Sequence, residues 1–273
     1  MSEKKKDTTG ASSFEREGDL IDFAIRIWNK TVSEPYYLFH LLLFFSYIPI
    51  RCSASRVLSS SRAATLFTRE IQGVVTFFLL AVVKLVRDET WEAFISNALF
   101  FAKIYLAGIA LVMDYHLALW YSLGFLVIYI SAQQPPYEEF GDSTQLTPLQ
   151  LETLLTEGNT SRFWLVEFRA LSVSSCIRTS SFFPELSITY SNKNLSFGIV
   201  DLGLFPNVAE KFGISLGSLS QLPAYIMFDN GTDVSWLAEV DSGVNIFRPS
   251  LTKKYMCRHF ELDKLLLDYV HGK

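Results

Sequence analysis

Cysteine is scarce in this chain: Cys52, Cys176 and Cys257 are the only three in 273 residues, and no two stand in a Cys-x-x-Cys spacing. That scarcity excludes a disulfide framework and a structural zinc site, both of which need paired spacings. Charge is sparse too. Only 19% of the residues are charged, the net charge is -4, and Lys and Arg form no extended stripe, which argues against a nucleic-acid partner. A Gly-rich phosphate loop, a Gly-x-Ser-x-Gly elbow and paired catalytic carboxylates are also missing, so no cofactor is expected. Of the four histidines, His40 and His116 fall in apolar stretches, while His259 and His271 each have an Asp about one helical turn away, Asp263 and Asp268. Isolated pairs of this kind do not make a metal site, which needs three or four converging ligands. The opening Met-Ser-Glu-Lys-Lys-Lys and the residues after it hold no long apolar run, so the core and cleavage site of a secretory signal are lacking. An internal span is expected to direct the chain to a membrane.

Apolar surface is what the chain has in quantity. Hydrophobic residues make up 49% of it and its mean hydropathy is positive, a balance tilted toward membrane. Residues 1–34 read as an N-terminal tail. The first 18 or so are too polar to bury a core, and Asp19 to Thr31 reads either as an amphipathic helix on the membrane surface, with Arg26 and Lys30 toward the headgroups, or as an ordinary soluble helix. Residues 35–134 read as a helical membrane region. Its candidate spans are Tyr36 to Ile50, Ile71 to Val86, Phe94 to Met113 and Leu117 to Ala132. The first two fall short of the roughly 20 residues a span needs. Four spans are expected, or three if a short one lies at the interface. Lys103 falls mid-segment, where a cation costs about 3 kcal/mol or more unless it faces another helix or water. Together with Asp114 it admits a transport path, although pairing across helices is the simpler reading.

Signals for orientation conflict. Six Lys or Arg before the first span favour a cytosolic N-terminus, whereas Arg51, Arg56, Arg62 and Arg69 in the first loop resist translocation. Sequons at Asn29, Asn159, Asn194 and Asn230 would take sugar only in a lumenal setting. Pro135 and Pro136 end the helical region, residues 135–146 read as a linker, and the soluble domain is expected over 147–273. Its first helix opens at Thr147-Pro148-Leu149-Gln150, with Thr as N-cap, Pro at the first helical position and Gln completing a capping box, and should stop at Gly158.

The soluble domain is built around Phe163 to Pro184. An apolar run with one carboxylate, Glu167, leads into a Ser-rich turn, then Cys176, then a helical pattern with Phe182, Phe183, Leu186 and Tyr190. Strand, turn and a single helix from Cys176 to about Tyr190 follow from that pattern. Next come a strand from Leu195, a short helix from Asn207 to Phe212, and a hairpin of Ala224 to Phe228 with Ser235 to Val240 turning at Asn230-Gly231. Residues 241–255 read as loop, and His259 to Val270 as a closing amphipathic helix. The fold class expected is therefore α/β, a mixed sheet flanked by helices on both faces, preceded by about four spans.

This order, with the turn cysteine and the Leu222-Pro223 step that opens a strand, resembles a thioredoxin domain. With the apolar region before it, the chain resembles the thioredoxin-related transmembrane proteins, most closely the branch of the second member and its plant-like relatives. The likeness runs over about residues 35 to 235 and implies an endoplasmic reticulum membrane protein, multi-pass, with its thioredoxin-like domain on the cytosolic side. One departure stands out. Where the fold usually carries Trp-Cys-x-x-Cys, this chain has Ser172-Val173-Ser174-Ser175-Cys176, so Val173 replaces the attacking cysteine. Dithiol exchange needs a thiolate that attacks and a second thiol that resolves the mixed disulfide. Cys176 holds the resolving position. It reads either as a buried small hydrophobe or as a monothiol that forms a mixed disulfide with glutathione or a protein. The likeness assigns Glu167 to the buried carboxylate that moves a proton for that thiol, and Leu222-Pro223 to the cis-proline loop. Ser172, Val173, Ser174, Ser175, Leu222 and Pro223 would form a shallow groove for extended peptide. The expected partners are membrane lipid and protein or peptide clients, with holding favoured over exchange.

Overall fold

The computed structural model describes residues 33–55, 59–87, 90–156, 163–216, 221–230, 232–238 and 251–272. The tail and the surface helix read over Asp19 to Thr31 lie outside the described residues, as do the stop at Gly158 and most of the loop over 241–255. By internal packing the chain forms two units, one taking in Met1–Val75 with Ala102–Pro135 and the other Thr76–Phe101 with Pro136–Lys273.

Among the described residues five helices precede the sheet: α1 (Pro35–Phe45), α2 (Tyr47–Ser55), α3 (Ser60–Arg87), α4 (Trp91–Met113) and α5 (Tyr115–Ser131). α1 and α2 together make an apolar stretch of 20 residues, Pro35–Ala54, long enough to cross a membrane, as are the 28-residue α3 and the 23-residue α4, whereas α5 is apolar but has 17 residues. The span read as Tyr36 to Ile50 is thus longer than its apolar run. It is interrupted at Ser46, where Pro49 has no N–H to give the Phe45 carbonyl and the Ser46 hydroxyl turns back to the Leu43 carbonyl at 2.7 Å. In the first unit Leu106, Ala110 and Tyr121 form a buried cluster against Leu43, Phe44 and Tyr47. Lys103 does turn toward a neighbouring helix, with its ammonium 5.9 Å from the centre of the Phe125 ring. Asp114 accepts the His116 N–H and caps α5.

In the second unit the strands are β1 (Thr144–Gln145), β2 (Phe163–Arg169), β3 (Leu195–Asp201), β4 (Ala224–Asp229) and β5 (Thr232–Ala238), in the order β1-β3-β2-β4-β5. β1, β3 and β2 run parallel, while β4 is antiparallel to both β2 and β5. β2 and β3 are buried on both faces, which is why they read as near-continuous apolar runs. One face packs Val166, Phe168, Ala224 and Ile226 under α6 (Pro148–Thr156) and a short helix, Pro206–Lys211; the other packs Leu165, Phe197, Ile199 and Tyr225 under the helices Phe182–Tyr190, Lys253–His259 and Leu262–Val270.

Three expectations need correction. The segment read as a linker carries strand β1, whose Thr144 pairs with Gly198, because β3 offers an open edge there. The one helix from Cys176 is two, α7 (Ser174–Arg178) and α8 (Phe182–Tyr190). The break falls where the Ser180 hydroxyl takes the Ile177 carbonyl at 2.7 Å and Pro184 has no N–H to carry the ladder on. The closing helix is likewise two, and its first half starts earlier, at Lys253, with the Thr252 hydroxyl accepting the Tyr255 N–H as cap.

Candidate functional site

Cys176 lies in the first turn of α7, which opens directly from the end of β2 through Ala170 and a short turn. Its side chain has no exposed surface. Val173 immediately before the helix is 8% exposed, and Leu222 and Pro223 are buried as well. Of the six residues expected to line a peptide groove, only Ser172 and Ser174 are exposed and Ser175 is half-buried. Ser175 does join the two halves of the site, its hydroxyl donating to the Leu222 carbonyl at 2.6 Å. The Leu222-Pro223 peptide is cis.

Glu167 is fully buried on the opposite face of β2 from Val166. It sits in register with Ile199 on one side and Tyr225 on the other, and the Tyr225 hydroxyl donates to Oε1 at 3.2 Å. Two residues on, Arg169 points to the same face as β alternation requires, and its Nη1 lies 3.9 Å from Glu167 Oε2. That is the long end of an ion pair, and neither Oε2 nor the Arg169 Nε has a hydrogen-bond partner. Loss of water pushes the Glu167 carboxyl up to about 7, against the opposing pull of Arg169 and the Tyr225 bond. Burial also drives the Tyr225 phenol well above its ordinary range, helped by Glu167 and Cys176 nearby, so it stays a donor. The Thr179 hydroxyl donates to the Ser175 carbonyl at 3.0 Å. The phenol therefore lies between the carboxyl group and the helix that bears the thiol.

Residues before the sheet close this cluster from outside. The guanidinium of Arg169 stacks on Phe140, with Cζ 5.7 Å from the ring centre. Tyr137 N–H donates to Ser180 Oγ and Asp142 N–H to Ser187 Oγ, both at 2.9 Å. Between them Gly141 has φ +57°, and a Cβ there would come within 2.5 Å of the Pro184 carbonyl oxygen, so only glycine fits.

Arg169, Tyr225 and Phe140 were not singled out in the sequence. Arg169 had a signal, its place two residues after Glu167 on one strand; Tyr225 had none, because its neighbour is set by register between distant strands. The histidine pairs do not form. His259 Nε2 meets Ser235 Oγ at 3.0 Å, Asp263 accepts from Tyr190, and His271 bonds the Leu267 carbonyl.

A mixed sheet of this order, with a cysteine at the first turn of the helix after its central strand and apolar helices before it, defines a membrane protein with a thioredoxin-like domain. No family model matches the chain. It is 30% identical over 251 residues to thioredoxin-related transmembrane protein 2 of Xenopus laevis, covering 87% of this chain and 85% of that one. The Drosophila melanogaster homolog of the same protein is 31% identical over 231 residues, covering 79% and 84%. The chain belongs to the thioredoxin-related transmembrane protein 2 family. Among solved structures, the reduced thioredoxin pre-protein of Schistosoma mansoni matches 36% of this chain and 86% of that one at 26% identity, with a TM-score of 0.31.

Proposed function

We propose that this chain is an endoplasmic reticulum membrane protein whose thioredoxin-like domain faces the cytosol and serves redox-linked protein folding or regulation by holding protein or peptide partners. The observation that carries this reading is at the motif. Val173 stands where an attacking thiol would be, and the one sulfur left, Cys176, has no exposed surface. A dithiol cycle has no first step here. Ser172 and Ser174 form the accessible rim on which a partner would rest. The full-length protein in lipid vesicles should show no turnover of a model disulfide without an added thiol, and sustained turnover would sink the reading. Sugar on Asn194 or Asn230 in microsomes would overturn the cytosolic placement.

A second reading draws on the Glu167–Tyr225 cluster. If Cys176 is uncovered, its thiolate attacks a disulfide such as oxidised glutathione, one sulfur bonding to Cys176 and the other leaving as a thiolate, with an outside thiol releasing the adduct. A carboxyl group that burial pushes up to about 7, bonded to Tyr225 near Cys176, suits the accompanying proton transfer. A stable glutathione adduct at Cys176, found by mass spectrometry of the folded protein, would favour it.

A further inference from the structure

The helix that bears Cys176 is held at its far end by the start of an apolar helix. Every helix C-terminus leaves carbonyls without partners, and in α7 the Arg178 carbonyl accepts a 2.6 Å bond from the Thr90 hydroxyl. Thr90 is also the residue that opens α4. Its hydroxyl accepts the Ala93 N–H at 3.1 Å and its carbonyl the Phe94 N–H. One hydroxyl thus closes the first turn of α4 and the last turn of α7 together, and Thr90 is 5% exposed. Farther along α4, Asn97 Oδ1 accepts from the Arg178 guanidinium at 3.4 Å.

Bonds continue from there toward the motif. Thr179 Oγ1 donates to the Ser175 carbonyl, and Ser175 Oγ to the Leu222 carbonyl. An unbroken chain of contacts runs from the first turn of α4 through α7 to the Leu222-Pro223 loop. α4 is long and apolar enough to cross a bilayer. Trp91 at its start is half exposed and stacks on Phe94 at 5.2 Å, the kind of side chain that settles at a membrane interface. A spanning helix tilts or shifts when bilayer thickness changes, and such a shift acts directly on Thr90.

We propose that Thr90 and Asn97 latch the Cys176 helix to the membrane: with α4 seated, α7 keeps the thiol shut in the core, and displacement of α4 by the bilayer lets α7 open. This goes beyond the holding function, since it concerns access to the thiol and applies to either use of Cys176.

Alkylation of a buried thiol passes through an opening of its helix, so each lost bond raises the labelling rate in proportion to the open population. In full-length protein in phosphatidylcholine vesicles, read at Cys176 by site-resolved mass spectrometry, Thr90→Val should label roughly three- to tenfold faster, the range expected of one hydrogen bond. Thr90→Ser should restore the slow rate. Thr252→Val removes a helix cap in the same unit without touching α7, and should leave Cys176 labelling unchanged. Wild-type labelling should differ between short-chain and long-chain vesicles, and the Thr90→Val protein should lose that difference. Equal acceleration by Thr252→Val, or a wild-type rate indifferent to chain length, would overturn the latch. If Thr90→Val does not fold, Asn97→Ala carries the same comparison with a smaller acceleration. Disulfide turnover is measured separately, so failure of the latch leaves the holding function standing.

Discussion

At Glu167 the sheet keeps a carboxyl group away from all solvent, with a phenol on one oxygen and a guanidinium at the edge of ion-pair range of the other. Because its folded value lies above that of the unfolded chain, folding takes up a proton. Stability should therefore fall as pH rises from the ordinary carboxylate range to about 7, and level off above that. Thermal unfolding of the full-length protein across this window should show the slope, and Glu167→Gln should flatten it. That variant leaves Arg169 buried without its partner, so an overall loss of stability is expected too, on the order of 3 kcal/mol. Arg169→Met removes the cation that faces the carboxyl, which should push the midpoint of the slope to higher pH, readable in the same melts. Glu167 was legible as the one carboxylate in an apolar strand. Its surroundings were not, because nothing local to Glu167 announces Tyr225, 58 positions away.

Elements were legible where their punctuation is local. Thr147 and Gln150 form the reciprocal pair read from the sequence, Thr147 N–H donating to Gln150 Oε1 at 2.9 Å and Gln150 N–H to Thr147 Oγ1 at 3.3 Å. Thr147→Ala should cost about 1 kcal/mol, seen as a drop of a few degrees in melting temperature. The division between α7 and α8 was less legible, since the stretch keeps its helical period while hydroxyl groups compete for its carbonyls. β1 was hidden for a different reason: two residues of edge strand carry no alternation, and what specifies them is the edge of β3. There Gly198 makes room for Leu146, whose Cδ1 would lie 2.4 Å from an added Cβ. Gly198→Ala should lower stability by roughly 1–3 kcal/mol through overpacking, with the same melting measurement as the check.

For the whole molecule, the Thr90 bond constrains the path of the chain through the bilayer. Thr90 at the start of α4 and Arg178 in the thioredoxin-like domain must lie on one side of the membrane, since they are bonded directly. A crossing by α4 then puts Met113 on the other side, and the chain returns to the domain only through α5. At 1.5 Å per residue its 17 residues span about 25 Å, somewhat less than the hydrocarbon core, so local thinning or tilt of neighbours is expected to accommodate it. Single cysteines placed at Ser174 and at Tyr115 in a cysteine-free background should react with a membrane-impermeant reagent from opposite sides of sealed microsomes. Reaction of both from one side would show that α5 does not cross. Hydropathy alone left this helix ambiguous because length and apolarity cannot say where the next bond is made.

The stretch from Pro135 to Gln145 has a practical corollary for anyone preparing the soluble part by itself. A recombinant fragment beginning at Thr147 would lose the outermost strand and the phenyl ring over Arg169, leaving a bare sheet margin that invites neighbouring copies to pair with it. Starting eleven or so residues earlier should turn a sticky preparation into a monodisperse one.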